Sequence, residues 1–278
     1  PGALIVSVGH DAENVSTFID KIVSCKGVDI IECVSYSAAD TPALVAAIRE
    51  KTDLPILTKL SFNWGEQLFP IAKAALEAGG SGFTAIDSIG PGLKIDIETG
   101  RPDLASTNGK GWVSGAAINP IALSIVADLK KKFGKPVVGT GGVFSAEDAI
   151  EMTMAGADAI GVCSAPILHG NEWYQKTGKK IQQWLSDHGY ASLEEIVGHA
   201  LPNLAQESSS KGLRFNFEPL KCTLCQRCVQ VCPYDARWII GESPKNEHIL
   251  MNLNDDVCRS CGLCSSVCPT NALSSNPI

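Results

Sequence analysis

The chain has 278 residues, 45% hydrophobic and 19% charged, with a net charge of -7 and a pI near 5.3. This composition excludes a disordered chain and leaves room for one large and one small globular domain. The acidic balance, with no basic stripe interleaved with aromatics, argues against a nucleic-acid surface, and no apolar run approaches the about 18 residues of a membrane span. The chain opens at Pro1 and runs almost at once into a strand-like segment, with no signal-peptide pattern. Material upstream is therefore expected.

In chain order, six apolar, β-branched runs without polar alternation predict parallel strands buried on both faces: Ala3–Val8, Val28–Ser35, Pro55–Leu60, Gly82–Asp87, Pro136–Gly139 and Ala159–Cys163. Helices are predicted between them at Ala12–Cys25, Thr41–Thr52, Gly65–Ala78, Pro120–Phe133 and Ser145–Ala155. In the last, Ser145 precedes Asp148 by three residues as a cap, and Gly156 closes the helix. Repeated βα units give an α/β fold, either a TIM-type barrel or an open doubly wound sheet. Gly139–Gly142 and Gly161–Ser164 follow the two late strands, where a barrel commonly binds phosphate through backbone N–H groups. The glycine-rich stretch Ser88–Gly115 is long for a βα connection. It is expected to be an excursion or lid, with a small hairpin at Asp96–Arg101. Asn171–His199 is predicted as a terminal helical pair. The polar stretch Pro202–Gly212 marks a boundary, so the domains are expected at 1–201 and 215–278, with 202–214 as linker.

Polar groups collect at the predicted strand ends. Lys59, inside Leu57-Thr58-Lys59-Leu60-Ser61, must direct its ammonium into the mouth of the barrel, because burying it in the apolar wall costs several kcal/mol. The alternative is a structural, salt-bridged lysine. Asn63 follows Lys59, and Asp87 and Ser88 end the next strand. Helix capping explains Asn63 or Ser88 singly, not their convergence on one mouth.

Eleven cysteines are present. Eight of them form Cys-x2-Cys-x2-Cys-x3-Cys-Pro twice, at Cys222, Cys225, Cys228, Cys232 and at Cys258, Cys261, Cys264, Cys268. A tight loop of cysteines three apart delivers three thiolates to a cubane, and in two-cluster ferredoxins the fourth comes from the other motif. One 4Fe-4S cluster is therefore assigned to Cys222, Cys225, Cys228 and Cys268, and the other to Cys258, Cys261, Cys264 and Cys232. Zinc favours paired Cys-x2-Cys elements, and disulfides need an oxidising compartment. The remaining Cys25, Cys33 and Cys163 lie in or beside apolar runs and are expected to be buried, reduced thiols, which favours the cytoplasm.

Thr58-Lys59-Leu60-Ser61-x-Asn63, Thr84-Ala85-Ile86-Asp87-Ser88, Val113-Ser114-Gly115-x-Ala117-Ile118-x-Pro120-Ile121-Ala122-Leu123, Thr140-Gly141-Gly142-Val143 and Val162-Cys163-Ser164-Ala165 resemble, in order, segments of the dihydroorotate and dihydropyrimidine dehydrogenase flavoproteins. The C-terminal module is similar to the ferredoxin module of dihydropyrimidine dehydrogenase, including the bacterial iron–sulfur subunit. The resemblance implies a TIM-type barrel with FMN across its mouth. It gives Lys59 a hydrogen bond to the flavin ring, Ser114 and Gly115 the ribityl chain, and Gly141, Gly142, Cys163 and Ser164 the phosphate.

Three departures from that family bear on function. The chain begins at the family's third strand, and six strands cannot close an eight-stranded barrel; residues upstream or another polypeptide would supply the rest. The family's Asn-x-Ser-Cys-Pro-like segment, with its long loop carrying the catalytic cysteine or serine, is replaced by Cys33-Val34-Ser35-Tyr36-Ser37-Ala38-Ala39-Asp40, which leaves Tyr36 and Ser37 as the candidate proton donors. The family's substrate-binding Asn-Thr pair reads Asp87-Ser88. An anionic Asp87 disfavours a substrate carboxylate or imide oxygen there and favours a donor or cation.

Two functions fit. One is a flavin and iron–sulfur oxidoreductase acting on CH–CH bonds of a small substrate; the other is an electron-transfer or scaffold subunit of a larger redox complex. No Gly-x-Gly-x-x-Gly follows a strand, so a FAD- or NAD(P)-binding or other redox partner subunit is expected, in an oligomer or complex.

Overall fold

A computed structural model describes residues 2–9, 14–104, 106–204 and 212–277. They fall into two compact units, Pro1–Leu201 and Pro202–Ile278. The first is a mixed α/β unit built on six parallel strands, β1 (Ile5–Val8), β2 (Ile30–Cys33), β3 (Ile56–Leu60), β4 (Gly82–Ala85), β7 (Val137–Thr140) and β8 (Ala159–Gly161). They hydrogen-bond in the order β1-β2-β3-β4-β7-β8. All six predicted strands are present. Among the described residues the outer edges of β1 and β8 carry no further strand, so the sheet is a half-barrel consistent with the TIM type, open as six strands must be.

Residues alternate across each strand, and the helices select which set is buried. Ile31, Cys33 and Ile56 pack on Leu44 and Ile48 of α2 (Thr41–Arg49), and on Val15 and Ile19 of α1 (Val15–Ser24). Leu60, Phe83, Ala85 and Val137 pack on α3 (Leu68–Glu77), α4 (Asn119–Phe133) and α5 (Ala146–Met154). The intervening residues, among them Leu57, Lys59, Thr84 and Thr140, therefore face the concave side. Lys59 stands opposite Thr84 in the β3–β4 register.

The capping box of α5 forms as expected: the Ser145 side chain accepts from Asp148 N at 3.1 Å, and Asp148 Oδ2 accepts from Ser145 N at 2.8 Å. Part of the first predicted helix, residues 12–13, lies outside the described residues. The helix expected at Gly65–Ala78 forms as α3 but starts three residues later, after a 3-10 turn, Phe62–Gln67, in which Gly65 takes φ 55° and ψ -130° and interrupts the helical path. Ser88–Gly115 folds as an antiparallel ribbon of β5 (Ile89–Leu93) and β6 (Lys110–Val113). Its tip is the expected turn, where Asp96 N donates to Arg101 O at 2.9 Å and Asp96 Oδ1 accepts from the N–H groups of Glu98 and Thr99.

The terminal helical pair is corrected to one helix. Before it comes an unforeseen short helix, α6 (Ser164–His169), then α7 (Glu172–Asp187), and Asn171–His199 closes with only a 3-10 turn, Leu193–Ile196. Gly189 (φ 76°) and Gly198 (φ 74°) bound that turn, leaving too few residues to repay helix nucleation. Ile196 is held by packing on Ile150 and Leu185 instead.

The predicted linker falls partly on residues 205–211, outside the described residues. The second unit pairs β9 (Leu213–Phe217) with β12 (Leu273–Pro277), and β10 (Arg237–Ile240) with β11 (Leu250–Leu253), around short helices α8 (Arg227–Gln230) and α9 (Leu263–Ser266). Its backbone repeats as its sequence does. Left-handed residues occur at Leu224 and Ser260, Gln226 and Gly262, Asp235 and Asn271, each pair separated by the same interval as Cys222 and Cys258. Non-glycine residues rarely adopt this conformation. Here it turns amides inward: Leu224 N donates to Cys222 Sγ and Ser260 N to Cys258 Sγ, both at 3.4 Å. Among the described residues no helix is long and apolar enough to cross a membrane.

Candidate active site and cluster sites

The C-terminal ends of β3, β4, β7 and β8 and the base of the β5–β6 ribbon enclose an open cavity of about 300 Å³, within the range of small-molecule sites. Lys59, Asp87, Ser88, Ser114, Gly115, Gly141, Gly142, Cys163 and Ser164 all line it. Asn63 does not. It anchors the ribbon from below, donating through Nδ2 to Ser61 Oγ and Ser88 O, both at 2.9 Å, and accepting from Gly90 N at 3.0 Å. Ile86 N donates to Thr140 O at 2.6 Å and Asp87 N to Leu60 O at 3.0 Å, so both neighbouring strands hold the end of β4. Asp87 Oδ1 accepts from Ser88 N at 2.8 Å. Ser164 Oγ donates to Ser114 Oγ at 3.4 Å, linking the segments after β8 and β6.

Lys59 makes no ion pair or hydrogen bond among the described residues, so the salt bridge of the alternative reading is not found there. A half-buried ammonium without a partner is a standing donor toward whatever fills the cavity. Gly142 and Val143 likewise give their N–H groups to no acceptor among the described residues. The glycines here also have a packing reason. Gly142 takes φ 74°, and a Cβ on it would meet Asn119 N at 2.7 Å and Gly115 O at 2.8 Å, so only glycine lets the loop cross the start of α4. Trp173 Nε1, donating to Phe144 O at 2.9 Å, secures the far side of that loop.

Trp112 and Phe144 also line the cavity and escape sequence reasoning. The only local signal for Trp112 is its place in the ribbon just before Ser114-Gly115. Tyr36 and Ser37 are not brought to the cavity. Tyr36 is 88% exposed, and Ser37 closes a tight turn into α2, its Oγ accepting from Asp40 N at 3.3 Å and its carbonyl from Thr41 Oγ1 at 2.8 Å. The expectation of three buried spare thiols is corrected: Cys25 and Cys163 are exposed and only Cys33 is buried. Cys25 caps the end of α1 and Cys163 the start of α6, so neither lies within a buried run. Burial, with help from the Glu32 carboxylate, pushes the Cys33 thiol up to about 12, leaving it inert.

In the second unit Cys222, Cys225, Cys228 and Cys268 surround one cavity, and Cys232, Cys258, Cys261 and Cys264 another. Each set takes three thiols from one motif and the fourth from the other. Among the described residues no group of three His, Cys, Asp or Glu side chains is close enough to hold a single metal ion. Burial raises the Cys228 and Cys264 thiols, partly offset by the charge of Arg237. For Cys268, burial acts in the same direction but is outweighed by hydrogen bonds from Leu273 N, Thr270 and Ala272, so its thiol is lowered.

The family model described as dihydroorotate dehydrogenase matches residues 6–185, and one described as a 4Fe-4S dicluster domain matches residues 221–272. Curated proteins named dihydroorotate dehydrogenase B (NAD(+)), catalytic subunit, are similar. The protein from Methanothermobacter thermautotrophicus is 36% identical over 197 residues, covering 70% of this chain and 64% of its own length. That from Methanopyrus kandleri is 39% identical over 168 residues, 58% and 51% respectively. That from Methanosarcina mazei is 38% identical over 158 residues, 57% and 49%. The chain thus spans between about half and two thirds of these relatives' length.

Proposed function

The chain belongs to the dihydroorotate dehydrogenase family, and from that premise we propose a flavin- and iron–sulfur-dependent oxidoreductase that passes electrons between two 4Fe-4S clusters and an FMN serving a small unsaturated substrate. The observation that carries this reading is the convergence of Lys59, Ser114, Gly142 and Ser164 on one cavity, with an unpaired ammonium and unpaired amides facing its contents. Those donors fit an anionic phosphate and a ring edge of carbonyl and ring-nitrogen acceptors. When bound, FMN supplies hydride and single-electron transfer. Lys59 would hold the ring, Ser114 and Gly115 the ribityl chain, and Gly141, Gly142, Cys163 and Ser164 the phosphate. Trp112 and Phe144 would exclude water, while Asp87 and Ser88 would meet the substrate edge. The crossed thiol sets would hold the clusters in a ferredoxin-like domain at 215–278. Relatives are named as catalytic subunits of an NAD(+) enzyme, which supports a partner subunit binding the nicotinamide or FAD. Thiolate clusters and free thiols favour the reducing cytoplasm.

The electron-transfer reading is kept for one reason: neither Tyr36 nor Ser37 lines the cavity. Removing a general acid typically costs ~100 to 10,000-fold, so orotate, uracil or thymine should be reduced very slowly with artificial electron donors. Anaerobic purification followed by extraction and chromatography of flavin tests the proposal. FMN together with iron retains the oxidoreductase; iron without flavin leaves the electron-transfer subunit. Pyrimidine turnover on the order of 1 per second would mean that another residue donates the proton.

A further inference from the structure

Arg237 begins β10 and is 4% exposed. It has no carboxylate partner among the described residues. Its guanidinium lies over the Phe215 ring at 4.5 Å from the centroid, and its Nη2 is buried without an acceptor. Such a charge costs several kcal/mol unless something compensates it. Arg237 lines the cavity of Cys232, Cys258, Cys261 and Cys264, so thiols are the groups there that could compensate its charge.

The internal repeat supplies a control within the same chain. The position equivalent to Arg237 is Leu273: each follows a buried alanine, Ala236 or Ala272, each is buried, and each begins a strand. Leu273 lines the cavity of Cys222, Cys225, Cys228 and Cys268. One cluster site therefore has an apolar wall where the other has a buried cation with a free donor.

We propose that Arg237 sets the two clusters apart in reduction potential, making the cluster held by Cys232, Cys258, Cys261 and Cys264 the easier to reduce, by its charge and by hydrogen bonds from its guanidinium to cluster sulfur. Four thiolates make each site anionic, and reduction adds a further negative charge, so a fixed cation beside one site stabilises its reduced form. A cluster held in that cavity would offer sulfur acceptors to the orphaned Nη2. Arg237 lines the cavity of Cys232, Cys258, Cys261 and Cys264 and not that of Cys222, Cys225, Cys228 and Cys268, so the effect is larger at the former. The inference rests on the two-cluster reading above.

The test is an anaerobic redox titration of the full-length iron-loaded protein, followed by electron paramagnetic resonance, comparing wild type with Arg237→Leu and Arg237→Gln. Iron content separates the two readings. Wild-type protein that binds no iron overturns the cluster assignment and this inference with it. With iron retained, the variants should lower one midpoint potential by at least about tenfold in the one-electron equilibrium, about 59 mV, and bring the two clusters closer together. Unmoved potentials in an iron-replete variant refute the inference. Should both variants lose iron, Leu273→Arg decides: a rise in the potential of the Cys222 cluster supports a charge effect at this position, and an unchanged potential refutes it.

Discussion

Replacing Lys59 by methionine keeps most of the side-chain volume and removes the charge. Because Lys59 has no acid partner among the described residues and is half-buried, its ammonium is partly desolvated without compensation from the protein. Methionine at this site should leave the fold unchanged or stabilise it by up to ~1 kcal/mol, on the scale of a modest polar desolvation, which raises the melting temperature by about 2–4 °C for a unit of this size. Flavin binding should move in the opposite direction. A hydrogen bond from a charged donor is worth roughly 1.5–3 kcal/mol, so FMN affinity should fall by about 10- to 150-fold. Titrating FMN into apoprotein while following flavin fluorescence measures the second effect, and thermal denaturation the first. A structural, ion-paired lysine would give the reverse: a lowered melting temperature with flavin affinity intact. That pair of results would refute the placement of Lys59 as a ligand-facing donor.

Cys268→Ser should remove the cluster at Cys222, Cys225 and Cys228 and spare that at Cys258, Cys261 and Cys264, lowering iron from about eight to about four per chain; loss of the neighbouring cluster instead would overturn the crossed arrangement. Ser164→Asp adds a carboxylate to the proposed phosphate end, so like charges should abolish FMN retention, read as flavin extracted per chain. This is a cleaner variant than Gly142→Asp, whose Cβ would strike Asn119 N and Gly115 O whether or not phosphate binds there, and unchanged flavin content in Ser164→Asp would sink the phosphate assignment. The raised Cys33 thiol stays protonated in the folded chain while an unfolded thiol ionises near 9. The associated stability is present below about pH 9 and is lost as pH climbs toward about 12, at most ~4 kcal/mol at 1.36 kcal/mol per unit. Urea denaturation at pH 8 and pH 10.5 should show this alkaline loss in wild type and a smaller one in Cys33→Ala; equal losses would argue against a buried neutral thiol.

Much of this protein was legible from its residues alone, because the signals are local. Buried parallel strands declare themselves as short β-branched runs, the Ser145–Asp148 cap spans one helical turn, and the cysteine spacing prescribes a loop that brings three thiols together. Lys59 in an apolar strand required an open mouth, since desolvation forbids the wall. Other features depend on which residues meet across the fold. Gly65, in a left-handed conformation that no apolar period reveals, delayed the start of α3, and packing of Ile196 replaced a second helix after α7. The β5–β6 ribbon carried Trp112 to the cavity from a stretch that reads as loop. A tight turn left Tyr36 in solvent, although sequence proximity alone makes it a candidate acid. The greatest contrast lies at Arg237 and Leu273: their equivalence follows from counting residues along the repeat, but an arginine at a strand start ordinarily reads as solvent-exposed. Only the packing of β10 against Phe215 and the cysteine loops buries that charge beside thiols, because burial is decided by neighbours distant in the chain.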